Sequence, residues 1–162
     1  MLERLFSRKK EEVIKAPLQG KIIKIEEVPD PTFSEKMIGE GVAIIPSEGN
    51  VVSPVKGEII QLFPTKHAIG IRSESGLEIL IHIGLETVLM KGEGFTANVK
   101  QGDKVNAGDS LIDFSLELVK EKAKSVITPI VVTNGDQIDY LEMENHEEAK
   151  LNETPVMKLR MK

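Results

Sequence analysis

From Val13 onward the chain is a succession of short runs rich in β-branched residues, each stopped by Gly, Pro, Ser or Asp. IIKI at 22–25, VAII at 42–45, EIIQLF at 58–63, AIGIRS at 68–73 and LEILIHI at 77–83 are such runs, and their composition and punctuation predict strands joined by turns. LEILIHI has a period of two: Leu77, Ile79, Ile81 and Ile83 share one face, and Glu78, Leu80, His82 and Gly84 the other. PVMKLRMK at 155–162 alternates likewise, with Met157, Leu159 and Met161 facing a core and Lys158, Arg160 and Lys162 facing water. Strand-and-turn character continues through 98–114 and 125–134. Only LELVKEKAK at 116–124, after Ser115 as a candidate N-cap, reads as a helix, of about two turns. The expected fold class is all-β, an antiparallel barrel or sandwich with one or two very short helices.

An internal echo refines this. Ala16-Pro-Leu-Gln-Gly20-Lys-Ile-Ile-Lys-Ile25 and Ser53-Pro-Val-Lys-Gly57-Glu-Ile-Ile-Gln-Leu62 share the order small, Pro, apolar, any, Gly, any, Ile, Ile, any, apolar. Proline ends one element, glycine allows a backbone path costly to other residues, and the Ile-Ile pair enters a core strand, twice over. A duplicated β motif is expected.

The length of 162 residues fits one domain, placed at 13–162, with 40% hydrophobic and 29% charged residues as in an ordinary globular protein. Residues 1–12 are expected to form a flexible tail. Within it Leu2, Leu5 and Phe6 stand at helical spacing beside Arg4, Arg8, Lys9 and Lys10, so weak contact with an anionic membrane is the alternative to a solvated terminus. The absence of Cys removes disulfides, thiolate catalysis and Cys-built zinc sites. No apolar run approaches the roughly 20 residues that span a bilayer, and the first residues do not read as a signal peptide; cytoplasm is the expected location. With 21 basic and 26 acidic residues, one Tyr and no Trp, the chain lacks both the basic footprint and the stacking platform of a nucleic-acid binder. A positively charged protein partner stays open.

Imidazoles and carboxylates are the plausible reactive groups, since no Gly-rich phosphate loop is present. His146, in ENHEEAK, reads as a surface residue. His82 points away from the apolar face of its strand. Thr65 and His67 project to one side if PTKH is extended, close enough for a hydroxyl to reach the ring; the alternative for His67 is burial, because it shares parity with Ile69 and Ile71. Fifteen residues separate His67 from His82, and whether they meet across paired strands is left open by spacing. Neutral imidazole can attack phosphorus without a strong base, and a second imidazole can donate a hydrogen bond to phosphoryl oxygens. A zinc ion on the pair is the competing use, but two rings leave it short of ligands unless a partner supplies the rest. Met90-Lys91 resembles a biotinyl turn without its second Met and reads as an exposed turn lysine.

The chain resembles the glucose-family enzyme IIA of the bacterial phosphoenolpyruvate-dependent sugar phosphotransferase system, from about Ala16 to Lys162. The resemblance rests on APLQGKI (16–22), VPDPTFSEKMIGEGVAI (28–44), SPVKGEI (53–59), PTKHAIGI (64–71), ILIHIGLETV (79–88), LMKGEGF (89–95), GDKVNAGDSL (102–111) and TPIVVTN (128–134). It implies a β barrel or sandwich built from a duplicated hybrid motif and a phosphocarrier needing no cofactor. His82 would accept a phosphoryl group on Nε2 from the phosphohistidine of the carrier HPr and pass it to a cysteine of a sugar-specific IIB domain of a membrane permease. His67 would stabilise the phosphoryl group, Thr65 would orient His67, and the Gly84 carbonyl would hold the other nitrogen of His82. Phe33, Ile38, Val42, Phe63 and Leu80 would form an exposed apolar docking patch, with Asp30 and Glu86 facing HPr arginines; Glu86 stands where Asp is more usual. A regulatory role, in which phosphorylation switches binding partners, is a second expectation, and a metallopeptidase of related fold a third that lacks the needed extra His and Asp.

Overall fold

The computed structural model describes residues 11–162. In chain order the strands are β1 (Glu12–Lys15), β2 (Gly20–Lys24), β3 (Glu40–Pro46), β4 (Asn50–Val52), β5 (Gly57–Leu62), β6 (Ala68–Ser73), β7 (Glu78–His82), β8 (Phe95–Ala97), β9 (Lys104–Val105), β10 (Ser110–Phe114), β11 (Thr128–Val132), β12 (Ile138–Met143), β13 (Glu148–Ala149) and β14 (Pro155–Met161). The helices are α1 (Pro31–Ser34) and α2 (Leu116–Lys122), with three 3-10 turns besides. Ser115 caps α2 as its sequence suggests, its Oγ accepting the Leu118 N–H at 3.2 Å. Residues 1–10 of the expected tail lie outside the described residues, and Glu12 is already in β1.

An eight-stranded sheet, ordered β13-β2-β3-β11-β7-β6-β5-β9, is accompanied by two three-stranded sheets, β1-β14-β12 and β4-β10-β8. Every pairing is antiparallel. This is the all-β architecture that the short punctuated runs predict.

The echo has a structural counterpart. Gly20 opens β2 opposite Pro46 of β3, and Gly57 opens β5 opposite Ser73 of β6. A Cβ at Gly20 would stand 2.1 Å from the Ile45 carbonyl oxygen, and one at Gly57 2.0 Å from that of Arg72. Each repeat thus uses glycine to let the partner strand's backbone approach, and the following isoleucines enter the sheet.

Leu77, Ile79, Ile81 and Ile83 are all at most 1% exposed and join the main core with Ile69, Ile71, Ile130, Met157 and Leu159. Burial contributes about 1.5–3 kcal/mol per large aliphatic side chain. The opposite face of the same strands is covered by a smaller cluster of Ile25, Val28, Phe33, Ala43, Leu85 and Val131. Because Ala68 pairs with His82, and Gly70 and Val131 with Leu80, small or compact neighbours leave room on this second face for an imidazole at the end of β7.

Candidate active site

His82 is the last residue of β7 and is half-buried. Its Nδ1 lies 2.8 Å from the carbonyl oxygen of Gly84. A carbonyl only accepts, so Nδ1 carries the proton and Nε2 keeps its lone pair. The carbonyl is aimed by the turn that follows. Gly84 has φ +72°, and an added Cβ would stand 2.6 Å from Thr87 Cγ2 and 2.8 Å from the Ser125 carbonyl oxygen. The turn is braced on both sides, the Gly84 N–H donating to Thr128 Oγ1 at 3.3 Å and Thr87 Oγ1 donating to the Ile83 carbonyl at 2.6 Å.

His67 precedes β6 and is 4% exposed. It is thus buried, as its parity with Ile69 and Ile71 allows, whereas the extended PTKH expected from the sequence is a turn, with Lys66 at φ +59° and its N–H donating to the Phe63 carbonyl at 2.7 Å. Thr65 Oγ1 and His67 Nδ1 are 2.5 Å apart. When that hydroxyl donates, the ring proton sits on Nε2, making His67 a hydrogen-bond donor there. The Ile83 N–H donates to the His67 carbonyl at 2.7 Å, which ties the two segments together. The rings meet: their centroids are 5.0 Å apart at an interplanar angle of 81°. Phe63 stands edge-on to His67 with centroids 5.4 Å apart, and Phe33 lies 5.2 Å from His82. His146 is exposed.

Burial, with a smaller contribution from the neighbouring His82 ring, pushes the His67 pKa down to about 4. Burial lowers that of His82 as well, opposed by its bond to the Gly84 carbonyl and by the carboxylate of Asp30. Both rings are therefore neutral at pH 7, one offering a bare nitrogen and the other an N–H. Among the described residues no three His, Cys, Asp or Glu side chains converge to hold a metal ion; the two rings would supply half of a tetrahedral zinc shell.

The expected apolar rim needs correcting at two positions. Val42 is 4% exposed and lies in the main core, on the opposite face of the sheet from His82. Its register partner Ile130 pairs in turn with Ile81, not with the His82 face. Phe33 is 3% exposed and belongs to the second cluster, so its ring backs His82 instead of forming part of an open patch. Ile38, Phe63 and Leu80 are partly exposed. Met37, passed over in the sequence, is 73% exposed; the signal available was its place beside Ile38, just after α1. Asp30 caps α1, its Oδ1 accepting the Thr32 N–H at 3.0 Å. Glu86 is exposed in the turn after Gly84, with φ +61°.

The sequence profile of the EIIA 1 family of the phosphoenolpyruvate-dependent sugar phosphotransferase system matches residues 12–138. The chain belongs to this family. Among enzyme IIA relatives, the "PTS system glucose-specific EIIA component" of Halalkalibacterium halodurans is 61% identical over 151 residues, covering 93% of this chain and 87% of the relative. The protein of the same description from Bacillus cereus is 58% identical over 165 residues and all of both chains. The solved glucose permease IIA from Mycoplasma capricolum superposes with a TM-score of 0.80 at 40% identity, covering 92% of this chain and 96% of that one. This enzyme IIA is thus a component of the phosphotransferase system, and no helix among its described residues is long and apolar enough to cross a membrane.

Proposed function

We propose that this enzyme IIA is a soluble, cytoplasmic phosphocarrier for glucose-type sugar uptake, in which His82 takes a phosphoryl group from phospho-HPr and passes it to a IIB domain. The observation that carries the reading is the complementary pair of rings 5.0 Å apart, each with Nδ1 engaged and Nε2 left for the phosphoryl group. The lone pair of His82 Nε2 attacks phosphorus as the P–N bond to the donor histidine breaks and its electron pair returns to that ring. The His82 Nδ1 proton stays in place, and the positive character gained by the ring strengthens its bond to the Gly84 carbonyl. His67 Nε2–H donates to a phosphoryl oxygen. In-line positioning and charge compensation suffice for such a transfer. Onward transfer reverses the steps toward the cysteine thiolate of IIB.

Ile38, Phe63 and Leu80, with Met37, form the apolar ground on which partners dock, and Asp30 and Glu86 meet arginines of HPr. Placing about two negative charges amid these side chains changes which partner the same ground accepts, which is the basis for a regulatory role. The test is a phosphorelay of phosphoenolpyruvate, enzyme I and HPr: it labels the wild-type chain with an acid-labile, base-stable phosphate and leaves His82→Ala unlabelled. Labelling of His82→Ala at the wild-type level overturns the assignment.

A further inference from the structure

On another part of the surface a groove of about 790 Å³ runs between β2 and β12, and none of Thr65, His67, His82 or Gly84 lines it. Both walls are strand edges. β13 covers β2 only at Gly20 and Lys21, and the Ile22 N–H is taken by the Glu147 carbonyl at 2.8 Å. Beyond that, the Lys24 N–H turns to the Glu27 carboxylate at 3.2 Å instead of a strand. β12 pairs with β14 on one side, and among the described residues no strand pairs with its other edge. Open edges of this kind invite an added segment unless something covers them. The floor is apolar, with partly exposed Ile22, Leu141 and Met143. The walls carry five glutamates and three lysines, and one of those lysines, Lys36, is already bridged to Glu26 and Glu40.

We propose that this groove is the docking site of the chain's own N-terminal segment, residues 2–10. Leu2, Leu5 and Phe6 meet the apolar floor, while Arg4, Arg8, Lys9 and Lys10 meet the acidic walls, four cations against the single carboxylate of Glu3. Reach supports the same occupant. Glu11, where the described chain starts, bonds through its side chain to Tyr140 of β12 and lies 3.8 Å from Lys158 of β14, so the segment leaves one strand away from the wall that β12 forms. Nine residues span up to about 30 Å, ample to cross β14 and β12, whose strands lie about 5 Å apart, and enter the groove. The tether holds the segment at an effective concentration on the order of millimolar, so modest contacts suffice.

The 162-residue chain contains no cysteine, and Ser7→Cys therefore takes a single nitroxide label. In nitrogen-15 spectra of the labelled 162-residue chain, the amide signals of Ile22, Leu141 and Met143 should broaden selectively. That broadening should be lost in Glu144→Lys/Glu147→Lys, and equally in Leu5→Asp/Phe6→Asp, which leaves the described domain untouched. Mixing labelled chain with isotope-enriched unlabelled chain separates the chain's own segment from that of a second copy. Broadening that is uniform, absent from the groove, insensitive to both variants, or seen only between copies overturns the proposal.

Discussion

Each imidazole at the site has one nitrogen engaged before any substrate arrives, and what the rings can do follows from the nature of those partners. The Gly84 carbonyl can only accept, which fixes the His82 tautomer; the Thr65 hydroxyl can donate, which puts the His67 proton where a phosphoryl oxygen would need it. Thr65→Val removes the donor and leaves His67 free to choose either tautomer. Transfer through the relay should slow by roughly tenfold, the cost of about one buried hydrogen bond, while the fold and the His82 label persist; stopped-flow or quench measurements of transfer check this. Part of this geometry was legible beforehand: the period of LEILIHI places His82 on the side away from the core, but the contact of Thr65 with His67 was expected from an extended PTKH and is made instead by a turn at Lys66. Two residues were misplaced for a physical reason. Gly41, Val42, Ala43 and Ile44 are all buried, because β3 is covered on both faces, and a strand of that kind shows no alternation from which to read Val42's side. Phe33 is masked differently, by the second cluster that α1 closes over.

At the scale of elements, the turn after β7 deserves the sharpest expectation. Gly84→Ala forces a side chain into a positive-φ position already occupied by Thr87 and the Ser125 carbonyl. It should cost about 1–3 kcal/mol of stability and, by moving the carbonyl that fixes His82, lower the labelling rate in protein that still folds. Thermal unfolding and relay labelling measure the two effects separately. Elements whose sequence carries a period or a cap were visible from the chain: β7, β14, and α2 behind Ser115. The 98–114 stretch was not resolved into its parts, since only Lys104–Val105 and Ser110–Phe114 form strands there and the intervening turns are as polar as an edge strand. β12 likewise escaped notice, its IDYLEM being too polar to stand out from the charged residues after it.

For the whole molecule, the buried imidazole makes stability depend on pH in a stated direction. The unfolded chain protonates His67 near 6.5, whereas the folded chain does so only near 4. Between those values the unfolded state holds more protons, so stability falls as the pH falls, by roughly 3 kcal/mol across the window, and is fully present above pH 6.5. His82, lowered too, acts in the same sense. Denaturant midpoints at a series of pH values should show this decline in the wild type and a shallower one in His67→Gln; equal slopes would mean that His67 titrates normally. The lowered value of His82 also keeps its nucleophile unprotonated, so the acid limb of the transfer rate should lie below pH 6.5. How the two halves of the chain assemble was partly foreseen from the Gly20 and Gly57 echo, but the meeting of the two rings depends on the β6–β7 register, which spacing alone leaves open.

The proposed transfer requires a neutral His82 that offers Nε2 and keeps its proton on Nδ1. Nitrogen-15 NMR of the phosphorylated protein, with the imidazole nitrogens enriched, reads this directly. A phosphorus coupling at His82 Nε2, with Nδ1 still protonated and bonded to the Gly84 carbonyl, is the expected spectrum. Coupling at His82 Nδ1, or at either nitrogen of His67, would contradict it.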